Sequence, residues 1–258
     1  MSNPGMKRKF VGFLICMFCG FVTSAFAGED KYTIEDLKVL DKESKYAEII
    51  DHLNDVRPSQ RNDEWKAIQH RAAIKTLEKQ LASEDPYLAL DFADQMLDAM
   101  RDSKEFMKLR SQAVIGGIQA CYRDSYYSSE CTDKLTAQVK QTPDDRELAF
   151  QAGKMVRLKA NSAAAVPFFL MALKGGENKV GCADEDVLLA VTSGLGLPDE
   201  RAKPAVELGF ATCFETLKPQ LLDDFYASGG YALSNYCKSL SEKSMLTEFQ
   251  QAYCADHL

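Results

Sequence analysis

Apolar residues in this chain recur at spacings of three and four in one segment after another. That spacing lines side chains along one face of a helix, whereas a half-buried strand needs strict alternation. The run 46–56 sets Tyr46, Ile49, Ile50, Leu53 and Val56 on one face, and Arg57-Pro58 stops it, because proline cannot continue a helix freely. Trp65, Ile68, Ala72, Leu77 and Leu81 carry a second helix over 65–81, and Ser83-Glu84-Asp85-Pro86 is at once a break and a new start. Spans 87–101 and 104–121 read as two more helices, and Gly116-Gly117 inside the latter implies close packing or a bend. Thr142-Pro143-Asp144-Asp145 opens a helix to about Lys159; after the turn Ala160-Asn161-Ser162 another runs to about Lys174 and ends at Gly175-Gly176. Spans 184–192, 199–217, 220–227, 231–240 and 242–255 complete the set, and no long alternating run of β-branched residues competes with them. The expectation is an all-α fold of helical hairpins stacked as an α-solenoid; the alternative is an irregular helical bundle.

The first 27 residues read as something other than fold. Lys7, Arg8 and Lys9 precede an apolar run from Phe10 to Val22, and Ala25-Phe26-Ala27 closes it with small residues around a bulky one. Those are the three parts of a secretory signal, and cleavage after Ala27 leaves 28–258 as the helical domain, in the periplasm or secreted. The run is too short for a spanning helix, so no stable membrane insertion is expected once it is removed. A lipid anchor on Cys19 is disfavoured, because Phe18 stands where the resembling lipobox has a small residue. Cleavage makes the net charge more negative, from −7 to −10, since three cations leave and no acid does. So acidic a chain is not expected to bind nucleic acid or anionic lipid through charge.

Six cysteines remain: Cys121, Cys131, Cys182, Cys213, Cys237 and Cys254. An even number in an exported chain implies disulfides, and loop-closure entropy favours neighbours: 121 with 131, 182 with 213, 237 with 254. Cys121 follows Val114 and Ile118 at helical spacing, and Cys213 shares a stripe with Val206, Phe210 and Leu217, so the bridges should tie core faces together. No closely spaced ligand pair survives for zinc, and no metal or cofactor is expected.

Within residues 146–177, Ala149, Ala152 and Gly153 are small or apolar positions of one helix; Ala165, Phe169, Ala172 and Leu173 are those of the next. This stretch resembles a tetratricopeptide repeat, in which small residues let two antiparallel helices approach closely. Ala149 stands at the family's Trp position, and its closing Pro is replaced near Glu177. The helix 46–56 also looks like a second repeat helix, with Ile49 where the family prefers Ala, and Trp65 looks like the opening of the next repeat. In that family the first helix of each repeat lines a concave groove. The resemblance therefore implies that Phe150, Gln151, Lys154 and Arg157 face a partner, with Lys154 and Arg157 as a local positive spot, while Ala152 and Val156 pack inward.

Signs of chemistry are sparse. His52 and His70 are 18 residues apart, there is no Gly-x-Ser-x-Gly, no serine has lysine three positions on, and no phosphate or calcium loop occurs. Asp144-Asp145 and Asp223-Asp224 sit at helix starts, where carboxylates complement the dipole. Residues 121–131 read as a disulfide-closed loop presenting Tyr122, Arg123, Tyr126 and Tyr127, residue types that favour binding. The leading expectation is an exported, non-enzymatic binding protein or scaffold whose partner is a protein or peptide. An inhibitor or self-protection protein for a periplasmic enzyme, and a carboxylate-based envelope hydrolase, are the alternatives.

Overall fold

The computed structural model describes residues 31–125, 128–174, 180–213, 216–217 and 238. The segment 1–27 read as a secretory signal, Tyr126, Tyr127, Cys237, Cys254 and, Lys238 apart, the helices expected over 220–255 lie outside them. Among the described residues there are ten α-helices and no strand. They are α1 (Ile34–Lys42), α2 (Tyr46–His52), α3 (Asp63–Leu81), α4 (Pro86–Met100), α5 (Lys104–Asp124), α6 (Ser128–Gln141), α7 (Arg146–Lys159), α8 (Ser162–Leu173), α9 (Glu185–Leu195) and α10 (Asp199–Val206). The fold is all-α over this span.

Side-chain caps mark most of the starts. Asn62, Asp85, Ser103, Asp145, Asn161 and Asp184 each accept a backbone N–H of the helix that follows, satisfying a donor that the first turn leaves open. Thr33 and Asp36 form a reciprocal capping box at α1. Ser44, at φ 57°, closes α1 in the left-handed region: its N–H reaches Asp41 O and that of Lys45 reaches Leu40 O.

Two helices escape the sequence reading. α1 is short, with only Leu37 and Leu40 buried. α6 is mostly polar and holds itself to the core through Cys131, Leu135 and Val139, spaced four apart. Its existence corrects the expected loop at 121–131. α5 runs on to Asp124 and α6 begins at Ser128, so Tyr122 and Arg123 are helical and the Cys121–Cys131 bridge joins the end of one helix to the start of the next. The single helix expected over 199–217 also differs. α10 ends at Val206, the chain winds as a π-helix over Glu207–Thr212, and Cys213 N bonds Leu208 O five residues back.

Cys121 pairs with Cys131 and Cys182 with Cys213, at Cα separations of 5.8 and 5.3 Å, two of the neighbour pairings expected. All four sulfurs belong to buried residues.

Successive helices pack as neighbours, most extensively α4 with α5, α7 with α8 and α8 with α9. In addition α3 touches α5, α5 touches α7 and α7 touches α9. The α7–α8 contact is close because it is built of small residues: a Cβ on Gly153 would lie 2.6 Å from the Phe169 ring. Gly117 makes a similar allowance for Leu90 of α4. The apolar interior falls into two clusters. One runs from Leu37 through Trp65 and Phe92 to Ala113; the other starts at Val114 and continues through Leu148 and Phe169 to Leu217. They meet in the middle of α5, which is shared by both.

Candidate functional site

Where the two clusters meet, α5 and the α6–α7 corner enclose a groove of about 760 Å³. Its floor is apolar, from Met107 and Ile115 of α5, Pro143 of the corner and Leu148 of α7. Lys104 and Lys108 stand on the α5 wall; Asp144 and Glu147 stand on the opposite wall. Gln112 and Gln151 add an amide from each side, and Arg101, Ser111, Thr142 and Asp145 also line it. The size and the apolar floor are those of a ligand cleft, and its rim is polar and charged.

The corner is fastened to the rest of the molecule by side chains. Arg101 Nη1 donates to Gln141 O at 3.0 Å. Arg110 Nη1 donates to Thr142 Oγ1 at 3.3 Å, and Ser111 Oγ donates to Asp145 Oδ2 at 2.6 Å. Asp145 Oδ1 meanwhile accepts Leu148 N–H at 2.9 Å, so this carboxylate is occupied in capping α7 and holding α5.

Arg110 is the centre of that arrangement. It is 0% exposed, and its Nη2 donates to Gln138 Oε1 (2.6 Å), Gln141 Oε1 (3.2 Å) and Asp94 Oδ1 (3.4 Å). Gln138 Nε2 closes the ring by donating to Asp94 Oδ2. Burial draws the guanidinium's pKa below its ordinary value, while the charges of Asp94 and Asp145 oppose that shift. Arginine nevertheless keeps its charge in proteins, so a cation is held in the interior between α4, α5 and α6. Its Nε has no hydrogen-bond partner.

The residues singled out from sequence are not gathered in one place. Gln151 lines the groove, where its Nε2 donates to Glu147 Oε1 at 2.8 Å. Phe150 is half-buried, edge-on to Phe169 with 5.7 Å between centroids, and Lys154 Nζ lies 5.1 Å from its ring. Lys154 and Arg157 are not a free positive spot, which corrects that expectation. Lys154 Nζ pairs with Asp184 at 2.7 Å and Arg157 with Asp186, because the start of α9 brings two carboxylates against this face of α7. The Asp184 hydrogen bond raises the Lys154 pKa. Ala152 and Val156 are fully buried, as the repeat pattern implies. Tyr122 is half-buried with its hydroxyl 2.7 Å from Thr132 Oγ1, and burial pushes its pKa up. Arg123 is exposed and paired with Asp124 at 2.7 Å, which also accepts from Tyr87 at 3.4 Å.

Sequence reasoning missed the groove and Arg110. Its lining comes from residues some 40 positions apart. The one local signal was Thr142-Pro143-Asp144-Asp145, read only as a helix start.

Among the described residues no helix is long and apolar enough to cross a membrane, and no group of three His, Cys, Asp or Glu side chains is placed to hold a metal ion. No family model, no curated protein and no solved structure matches this chain.

Proposed function

We propose that the protein is an exported helical-repeat scaffold that binds a protein or peptide of the cell envelope in the groove between α5 and the α6–α7 corner. The observation that carries the reading is the groove itself: an apolar floor with a charged rim and a corner bolted in place by Arg101, Arg110 and Ser111. A preorganised surface of this kind binds without first paying the entropy of ordering its wall. Contacts of α3 with α5, α5 with α7 and α7 with α9 favour tetratricopeptide-like stacking, in which alternate helices share one layer. Export is favoured by the N-terminal pattern of residues 1–27 together with two buried disulfides. Binding rather than catalysis is favoured because Asp145 and Ser111 at the groove edge are engaged in holding the corner.

The test is affinity capture from the envelope fraction by chain 28–258 and by its Gln112→Trp variant, with partners identified by mass spectrometry. Gln112 is exposed and lines the groove, so an indole there fills the cleft without removing a core contact. The expected result is a partner retained by the wild type and lost by the variant. Equal capture by both sinks the groove as the binding site.

A further inference from the structure

The two walls of the groove carry opposite charges that do not neutralise each other. On α5, Lys104 and Lys108 are exposed, one turn apart. Asp144, in the corner, and Glu147, in the first turn of α7, are exposed on the other side. Among the described residues none of these four takes part in an ion pair, although most of the surface lysines of α1 to α3 do. The N-terminus of α7 accounts for the presence of acidic residues there; Glu147 Oε1 accepts from Gln151 Nε2 on the same wall, and neither carboxylate is neutralised by a cation among the described residues. A hydrophobic floor of Met107, Ile115, Pro143 and Leu148 lies between the walls, and the Gln112 amide, exposed and without a hydrogen bond, is within the lining.

We propose that this groove selects an extended peptide segment in which an apolar anchor residue is flanked by both an acidic and a basic side chain, the acid directed to Lys104 and Lys108 and the base to Asp144 and Glu147. The inference rests on the groove reading above and names its ligand class. A simple anionic amphiphile complements one wall and places its charge against the other, whereas a bipolar peptide complements both. The lining includes the amides of Gln112 and Gln151 beside the hydroxyls of Ser111 and Thr142, and the amides match the lateral hydrogen bonds an extended backbone needs. Opposed walls also fix the direction in which the segment lies, since reversing it sets like charges together; rim charges of this kind act on orientation and specificity more than on tightness.

The experiment is selection of a random dodecapeptide display library on chain 28–258, with counter-selection on Gln112→Trp. Individual peptides are then measured by fluorescence polarisation against the wild type, Lys104→Glu with Lys108→Glu, and Asp144→Lys. The expected peptides are lost on Gln112→Trp and carry an acidic and a basic residue close to an apolar one. Reversing both lysines should weaken the same peptide about tenfold, and Asp144→Lys by about two- to fivefold. Groove-dependent peptides that are uncharged or of one sign, or that ignore both reversals, overturn the bipolar inference and leave the groove reading standing. Failure to recover any peptide sensitive to Gln112→Trp overturns both, as does a dimer of the wild type that Gln112→Trp dissolves. Gln151→Trp, exposed on the opposite wall and uncharged, replaces Gln112→Trp if the latter melts early.

Discussion

Replacing Arg110 with alanine should be among the most damaging single changes in the described span, and the reason is electrostatic before it is steric. The guanidinium is fully buried and bonded to Thr142, Gln138, Gln141 and Asp94. In Arg110→Ala the Asp94 carboxylate, whose side chain is 33% exposed, regains water, and so does the exposed Gln141. Thr142, 6% exposed, does not: its hydroxyl is left without the donor and costs about 1–3 kcal/mol. The cavity from a long side chain adds about 2 kcal/mol, giving about 3–5 kcal/mol in all. Asp94→Ala should also be costly, because it strands the buried cation, while Arg110→Met with Asp94→Ala together should cost well under the sum of the single changes. Urea unfolding followed by circular dichroism measures each, with Arg123→Ala as the control. Arg123 pairs with Asp124 at the surface, its side chain 68% exposed, so its loss should leave the midpoint close to that of the wild type. If Arg110→Ala and Arg123→Ala shift the midpoint equally, the interior cation is not holding the corner and the argument fails.

Three further outcomes are expected. Removing the Cys182–Cys213 bridge by double alanine substitution should cost about 3.7 kcal/mol and removing Cys121–Cys131 about 2.7 kcal/mol, the longer loop costing more on chain-entropy grounds; urea midpoints of the two double variants decide, and the reverse order contradicts the loop-closure account. Gly153→Ala should destabilise by about 1–3 kcal/mol, because its Cβ would meet the Phe169 ring at 2.6 Å and the helix pair must open; a stabilised variant, as helix propensity alone would give, refutes the close approach. Burial tends to raise the Asp184 pKa, but the Lys154 hydrogen bond and the Asp186 N–H outweigh it, so the folded value lies below the unfolded one. Its contribution is therefore full above about pH 4 and is lost as pH falls further; Asp184→Asn should flatten the loss of stability below that pH, and an unchanged acid limb in melting experiments counts against the pair.

Fold class was legible because it depends on local periodicity. The stripes Tyr46 to Val56 and Trp65 to Leu81 and the corner Thr142 to Asp145 announce helices without reference to anything distant, and the caps found at Asp85, Asp145 and Asn161 are written in the residues themselves. The close approach of α7 and α8 was implied by the tetratricopeptide resemblance of residues 146–177, and Gly153 lies at that contact against the Phe169 ring. The neighbour pairing of Cys121 with Cys131 and of Cys182 with Cys213 followed from loop entropy alone.

What escaped the sequence is what depends on a second element. α6 carries three buried residues in fourteen, too thin a stripe to declare a helix until α5 and α7 cover it. Lys154 and Arg157 read as a free cationic spot because nothing in 146–159 reveals that Asp184 and Asp186 arrive at the head of α9. Nothing in its own stretch of sequence marks Arg110, which is fully buried through partners on α4, α6 and the corner beyond it. Residue pattern therefore determined most of the helices, several of their caps and two disulfide pairings among the described residues. Which charges are neutralised and where a groove stays open were decided only by tertiary packing, since burial and pairing are properties of two elements brought together and have no expression along one.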